Sequence, residues 1–114
     1  MHELGLLASV VTAVSRAAAD AGASSVEAVG LRVGTLSGAV PDALDGAWPI
    51  AIFGTALEGA RLELEVIPAQ VWCRSCDANH EVDEFYALRC PVCGTPTGAL
   101  VHGREFEVAW ADLE

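Results

Sequence analysis

The pattern of apolar positions predicts a helix at the start of the chain. From Leu4 to Ala18, apolar residues recur at steps of three and four, while polar residues occupy the rest of the helical wheel. This spacing is typical of an amphipathic helix that packs one face against a core. Gly22 marks its end, because glycine readily adopts the left-handed conformation that terminates helices. The predicted helix covers approximately residues 3–21.

Three later segments alternate between apolar and polar side chains, as half-buried strands do. They lie at residues 26–33, 61–66 and 105–110. In the first of them Val29, Leu31 and Val33 should share one face, and their β-branched neighbours favour an extended chain. Pro68 should close the second strand. The pattern therefore predicts an α+β fold with a three-stranded sheet.

A second helix is predicted to begin at Pro41 and to reach Ile52. Proline is favourable in the first turn of a helix, where its missing N–H has no intrahelical partner. Gly46 and Pro49 lie inside this segment, however, and an internal proline costs about 3 kcal/mol. We therefore expect a kink or an early break near Trp48 and Pro49.

Residues 70–101, the cysteine segment, differ in composition from the rest of the chain. They hold all four cysteines, many turn residues and few large apolar side chains. We predict a lobe inserted into a first lobe made of residues 1–69 and 102–114. So few apolar side chains cannot fold the segment by burial alone, and metal binding should supply much of its folding free energy.

Charge and hydropathy narrow the classes of function. Sixteen acidic residues against six basic ones give a net charge of −10. Clustered cations, which nucleic-acid binding requires, are absent from the sequence. We see no secretory signal and no apolar run of the roughly 20 residues that a membrane span needs. We expect a cytoplasmic protein that binds neither nucleic acid nor a membrane, and a reducing compartment favours metal binding over structural disulfides.

Two CxxC pairs provide the strongest chemical signal. Cys73 and Cys76 form the first pair, and Cys90 and Cys93 form the second. Each CxxC turn can direct two sulfurs at one point, and four thiolates make a closed tetrahedral zinc site. With four protein ligands no position remains for water, so zinc catalysis is not expected. Iron in the same thiolates, or a pair of redox dithiols, would also fit the pattern.

The other polar residues give weaker signals. His80 and His102 have no partner at ligand spacing, and we interpret them as ordinary turn or surface residues. Glu81, Asp83 and Glu84 are expected to form the solvated tip of a hairpin. No Ser/His/Asp constellation is recognisable, which argues against an enzyme.

The first three residues form the second candidate site. Met1 contributes an amine, His2 an imidazole and Glu3 a carboxylate, and a planar field of nitrogen ligands is diagnostic of Ni(II) or Cu(II). The amides of His2 and Glu3 fall at the predicted helix start, where N–H groups have no intrahelical partner. Metallating them would break no helical hydrogen bond. We expect Met1 to be retained, because its removal generally needs a small second residue.

Several motifs occur together in a characteristic order. They are Met1-His2-Glu3-Leu4, residues 33–44 (VGTLSGAVPDAL), Gly54-Thr55, residues 58–60 (EGA) and the two CxxC pairs. In this combination the chain resembles the HypA/HybF family of hydrogenase maturation factors. It departs from the family pattern at Gly46 and Pro49, where other members carry an uninterrupted helix.

The resemblance implies a nickel metallochaperone with two helices on a three-stranded sheet and an inserted zinc-ribbon-like lobe. It assigns nickel to the Met1 amine, the backbone nitrogens of His2 and Glu3 and the His2 imidazole, with the Glu3 side chain supporting the site or a partner contact. It assigns zinc to Cys73, Cys76, Cys90 and Cys93.

The implied partners are the nickel-handling GTPase of hydrogenase maturation and the hydrogenase large-subunit precursor. The resemblance also allows a homodimer or a domain-swapped dimer. Two other functions remain open on the residues alone: a zinc-ribbon interaction module with an inert terminus, and a rubredoxin-like iron redox protein.

Overall fold

The computed structural model describes residues 2–114. In chain order the elements are α1 (His2–Asp20), β1 (Val26–Gly34), α2 (Pro41–Ile52), β2 (Arg61–Ile67), β3 (Gln70–Cys73), β4 (Ala78–Glu81) and β5 (Phe106–Leu113). The two helices pack on one face of the sheet β2-β1-β5, and the hairpin β3–β4 falls between β2 and β5 along the chain. The predicted α+β class, with two helices on a three-stranded sheet, is confirmed. Neither helix of the described part of the chain is long and apolar enough to cross a membrane.

Helix α1 buries one stripe of side chains against the sheet. Its buried residues are Leu7, Val10, Val11, Val14 and Ala18. They follow the helical period, as the apolar pattern predicted. The helix ends close to Gly22, whose φ of 73° is left-handed. The N–H of Ala23 then donates to the carbonyl of Ala18 at 2.9 Å, which satisfies one of the last free carbonyls of the helix.

The central strand of the sheet is β1. It runs parallel to β2 and antiparallel to β5, and α2 provides the crossover that a parallel connection requires. Val29, Leu31 and Val33 are at most 1% exposed and contribute to the core beneath the helices, so the prediction that they share a face is confirmed. On the opposite face the indole of Trp110 covers Gly30, where a Cβ would lie 2.2 Å from the ring nitrogen.

Helix α2 has no early break near Trp48 and Pro49, so that part of the prediction is wrong: the helix continues through Pro49 to Ile52. The proline removes a single backbone donor, and the packing around it compensates for this loss. Ala47, Trp48 and Ile52 are buried. The indole N–H of Trp48 also donates to the carbonyl of Ala60 at 2.8 Å. Tertiary packing therefore outweighs the local preference for a break.

Two connections join the sheet to the cysteine segment: one follows β2 and contains Ala69, and the other precedes β5 and contains Gly103. Both lie beside the loop that follows β1. The hydroxyl of Thr35 accepts a hydrogen bond from the N–H of Ala69 at 3.0 Å. The carbonyl of Gly103 accepts one from the N–H of Leu36 at 2.7 Å. At Gly103 φ is 125°, and a Cβ would lie 2.6 Å from the Cα of Ala69. These two connections can pack this closely only because residue 103 is glycine.

The cysteine segment begins with the hairpin of β3 and β4, two short strands that we did not predict. Cys73 pairs with Ala78, so the turn that carries the first CxxC pair forms the hairpin tip. The acidic run does not occupy this tip, contrary to our prediction. Glu81 ends β4, and the Asp83 carboxylate accepts the N–H of Phe85 at 2.9 Å to start the next turn. A side chain that caps its own turn explains why an acidic residue follows the strand.

Candidate metal centres

Two tight turns carry the four cysteines. In the first, the N–H of Cys76 points at the sulfur of Cys73, with a nitrogen–sulfur distance of 3.4 Å. In the second, the N–H of Val92 points at the sulfur of Cys90, also at 3.4 Å. Gly94 closes the second turn with a φ of 75° and an N–H bonded to the carbonyl of Cys90. The sulfurs of Cys73 and Cys90 thus each accept a hydrogen bond from a backbone N–H, which stabilises the thiolate form.

The four sulfur atoms converge on one point. All lie within 4.8 Å of one another, and three of the Sγ–Sγ distances are 3.6, 3.9 and 3.7 Å. A tetrahedral metal with bonds of 2.3 Å separates its sulfur ligands by about 3.8 Å. A disulfide would require a separation of about 2.05 Å, and all four cysteines are free. The residues present therefore fit a tetrathiolate metal ion.

Neighbouring groups shift the pKa values of two of these thiols in opposite directions. Hydrogen bonds with the thiols of Cys93 and Cys73 raise the pKa of Cys76 to about 12. The hydroxyl and backbone of Thr95 lower the pKa of Cys93 to about 6, and the Thr95 oxygen lies 3.1 Å from that sulfur. A hydrogen bond from the Cys76 thiol to the Cys93 sulfur, at 3.7 Å, favours the thiolate form of Cys93 and the protonated form of Cys76. A divalent cation would supply the charge needed to hold all four as thiolates.

The site is closed on one side and exposed on the other. Cys73 is 0% and Cys90 3% exposed, whereas Cys93 lies at the surface. The Thr95 hydroxyl that contacts Cys93 lies 3.1 Å from the hydroxyl of Ser75, which connects the two turns. Sequence reasoning missed Thr95, although its place two residues after a CxxC pair in a polar turn was a signal.

The second candidate site lies at the start of α1. Met1 falls outside the described residues. The side chain of His2 is 59% exposed, and its Nδ1 lies 3.6 Å from a carboxylate oxygen of Glu3. Both residues belong to the first turn of the helix, whose N–H groups have no intrahelical partner. An imidazole and backbone nitrogens that make no helical hydrogen bond thus lie together at an accessible helix end.

The side chain of Glu3 contacts a residue that is distant in the sequence. Its side chain is only 16% exposed, and one oxygen accepts a hydrogen bond from the N–H of Val40 at 3.2 Å. Its own N–H and that of Val40 hold the pKa of the Glu3 carboxyl below its usual value. Glu3 therefore ties the start of α1 to the residue that precedes α2. No sequence pattern indicated the contribution of Val40, because the donor is a backbone group 37 residues away.

The other two histidines do not join either site. His80 lies on β4, not in a turn, and its buried Nε2 makes no hydrogen bond to any residue that the structure describes. His102 is exposed, and its Nδ1 lies 3.1 Å from a carboxylate oxygen of Glu105. Within residues 2–114 the four cysteines form the one group of three or more Cys, His, Asp or Glu side chains that could hold a metal.

Comparison with known proteins identifies the family of this chain. The family model described as "Hydrogenase/urease nickel incorporation, metallochaperone, hypA" matches residues 1–113. The hydrogenase maturation factor HypA of Roseiflexus sp. strain RS-1 is 46% identical over 114 residues, covering 100% of this chain and 93% of the relative. The HypA of Chloroflexus aurantiacus strain J-10-fl is 45% identical over 108 residues, covering 95% of each chain.

Solved structures show the same fold at low sequence identity. The solution structure of the nickel metallochaperone HypA from Helicobacter pylori matches with a TM-score of 0.68 and 14% identity, covering 97% of this chain and 96% of that one. A second solution structure of a HypA protein matches with a TM-score of 0.72 and 16% identity, covering 100% and 97%. With the family match over nearly all residues and relatives above 40% identity, the chain belongs to the HypA family of metallochaperones for hydrogenase and urease nickel incorporation.

Proposed function

We propose that this protein binds Ni(II) at its N-terminus and delivers it during maturation of [NiFe]-hydrogenase. Nickel is the cargo, bound by the Met1 amine, the backbone nitrogens of His2 and Glu3 and the His2 imidazole. Membership of a family of hydrogenase maturation factors supports a role in nickel delivery to hydrogenase. A carrier must bind tightly enough to load and weakly enough to release, which corresponds to a dissociation constant of roughly micromolar.

The observation that carries this proposal is the accessibility of His2 at a helix start. Its side chain is 59% exposed. The backbone nitrogens beside it lie in the first turn of α1, so their deprotonation and metallation need not break the helical hydrogen bonds. An imidazole with backbone nitrogens forms the planar nitrogen field that Ni(II) favours. An exposed helix end also lets a second protein approach the bound ion.

We propose that Glu3 acts mainly through its side chain's contact with Val40. The carboxylate accepts the N–H of Val40 and is largely covered, which makes a direct bond to nickel less favourable than support of the site. By fixing the first turn of α1 it would hold the His2 backbone in one orientation. Preorganisation of this kind raises affinity by reducing the ordering that binding requires.

We propose that Cys73, Cys76, Cys90 and Cys93 hold structural Zn(II). Four sulfurs at tetrahedral spacing support this assignment, and a complete thiolate set leaves no position for a catalytic water. The proposed units are the nickel-binding lobe, residues 1–69 and 102–114, and the zinc lobe, residues 70–101. The strand order supports them, because β2 and β5 belong to the three-stranded sheet whereas β3 and β4 form a separate two-stranded sheet. A bridge between Gln70 and His102 joins the two units at their boundary.

Delivery of nickel requires other proteins. We propose the nickel-handling GTPase of hydrogenase maturation and the hydrogenase large-subunit precursor as partners, with homodimers as a further state. The protein would act in the cytoplasm as a carrier and not as an enzyme. Its net charge of −10 suits a protein that meets cations and basic protein surfaces.

Native mass spectrometry of the intact protein tests the proposal. We expect one zinc per chain before nickel is added, one additional nickel afterwards, and a mass that includes Met1. Acetylation of the terminal amine should abolish the nickel adduct and leave the zinc adduct in place. A nickel adduct that survives acetylation would contradict the proposed ligand set.

A further inference from the structure

The loop after β4 exposes large apolar side chains. Phe85 is 80% exposed, Leu88 52% and Val92 69%, and all three lie between β4 and the end of the second CxxC turn. Single exposed apolar residues are common in soluble proteins, but a local group of them marks a site of interaction. No mechanism described above uses these side chains.

Phe85 also lines a groove with a volume of about 420 Å³. Its apolar lining comes from Val82, Phe85, Tyr86 and Pro91. Protein pockets that bind ligands have volumes of about 300–1,000 Å³. The groove can therefore take an apolar side chain, with the exposed ring of Phe85 at its edge. Aromatic residues in such positions are the usual anchors of protein interfaces.

The loop that carries this groove is held by its own hydrogen bonds. The carboxylate of Asp83 accepts the N–H of Phe85 at 2.9 Å, and the N–H of Arg89 donates to the carbonyl of Tyr86 at 3.0 Å. The guanidinium of Arg89 donates to the carbonyl of Gly94 at 3.2 Å, which joins the loop to the second CxxC turn. An ordered loop loses little conformational freedom when a partner binds.

Charge indicates what the groove would bind. Glu81 and Asp83 contribute to its lining, and Glu84 lies next to Phe85 along the chain. Arg89 is the basic residue of the lining, and part of its guanidinium is already bonded to a carbonyl. A second copy of this chain, with its own net charge of −10, would add negative charge to this acidic rim and would complement it poorly. A basic partner would instead complement the acidic rim.

We propose that this groove is a docking site for a segment of another protein that carries an apolar side chain flanked by lysine or arginine. The apolar side chain enters the groove beside Phe85 and Tyr86, and the basic side chains contact Glu81, Asp83 and Glu84. This surface belongs to the cysteine segment and does not involve the N-terminal residues. It can therefore be tested independently of nickel binding.

The test uses the ¹⁵N-labelled full chain with its metal bound and three short synthetic peptides, followed by NMR titration. The probe is acetyl-Lys-Leu-Arg-Leu-Lys-amide. One control replaces its basic residues by glutamate, and the other replaces its leucines by serine. We expect the probe to shift the amide signals of residues 81–91 in a saturable manner, with neither control doing so.

Two matched variants give the decisive comparison. Phe85→Ser should weaken binding of the probe by roughly tenfold or more, as loss of an aromatic anchor does. Phe53→Ser changes an equally exposed phenylalanine (78% against 80%) outside the cysteine segment and should leave binding unchanged. Equal effects of the two variants, binding of the acidic peptide, or shifts outside residues 81–91 would overturn the proposal. A concentration-dependent dimer in sedimentation that Phe85→Ser abolishes would assign the groove to a second copy and overturn it as well.

Discussion

The carboxylate of Glu3 accepts a hydrogen bond from the backbone N–H of Val40 at 3.2 Å. This contact joins the first turn of α1 to the residue that precedes α2, so the two helix starts are fixed relative to each other. His2, the proposed nickel ligand, lies one residue before Glu3. The position of the proposed nickel site therefore depends on a contact made by the neighbouring side chain.

Replacement of Glu3 separates its charge from its role as a hydrogen-bond acceptor. We expect Glu3→Ala to lower the melting temperature and to speed amide hydrogen exchange at Val40, because that N–H loses its acceptor. Glu3→Gln keeps an acceptor oxygen and should resemble the wild type more closely. Hydrogen exchange followed by NMR measures both variants. Equal exchange at Val40 in the wild type and Glu3→Ala would show that the contact is not maintained in solution.

A substitution at Gly103 tests how closely the two connections between the sheet and the cysteine segment pack against each other. Gly103→Ala places a Cβ 2.6 Å from Ala69 in a backbone with φ of 125°. Gly38 also has a positive φ, 89°, but no atom of residues 2–114 lies within 4 Å of its Cβ position. We expect Gly103→Ala to destabilise the protein by about 1–3 kcal/mol more than Gly38→Ala, since it adds overpacking to backbone strain. Urea unfolding of both variants measures the difference, and equal losses would remove steric crowding as the cause.

The lowered pKa of the Glu105 carboxyl predicts how the stability of the fold changes with pH. Its own N–H and that of Gly103 hold the pKa of its carboxyl below the usual value, with His102 adding to the effect. A lowered folded-state pKa stabilises the fold above the unfolded carboxyl pKa of about 4.3, and this contribution is lost as pH falls through the folded value. Glu105→Gln should therefore be less stable than the wild type at pH 7, with a smaller difference below about pH 4.

Urea unfolding at both pH values measures this effect. Glu58→Gln serves as the control, because Glu58 is exposed and both variants keep all four cysteines. A Glu105→Gln variant whose deficit is the same at both pH values would contradict the assigned role of the carboxylate.

Metal content tests the tetrathiolate site. We expect one zinc per chain and no visible absorption, because Zn(II) is d¹⁰ whereas iron in four thiolates is coloured. Cys90→Ser should lose the zinc and the fold of residues 70–101, since structural zinc contributes about 10–16 kcal/mol to such folds. Ser75→Ala, which changes a hydroxyl in the first turn and no sulfur, should keep the zinc. A coloured, reversibly reducible protein would identify iron and favour the redox alternative.

Local patterns predicted much of the fold. The spacing of the apolar residues located α1 to within a residue or two at each end, and alternation placed β1 and β2, because both depend on side-chain period alone. The two CxxC pairs similarly indicated a convergent site, since each turn fixes its own two sulfurs. The structure brings Cys73, Cys76, Cys90 and Cys93 together as that pattern implied.

Features that depend on distant packing could not be predicted. Pro49 suggested a break, but the burial of Trp48 and its bond to the carbonyl of Ala60 keep α2 continuous. The acidic run suggested a hairpin tip, whereas the first CxxC turn occupies that place. Nothing local to Glu3 indicated a backbone donor at residue 40. In each case the deciding interaction lies outside the window from which a sequence pattern is read.

The most direct test of the account is a calorimetric nickel titration of His2→Ala beside the wild type. We predict one nickel per chain with roughly micromolar affinity for the wild type and no measurable binding for the variant. His102→Ala, which removes another exposed histidine, should bind nickel as the wild type does. The zinc content of all three proteins should stay the same, which would confirm that the loss is local. Unchanged nickel affinity in His2→Ala would contradict the assignment of the cargo site to the N-terminus.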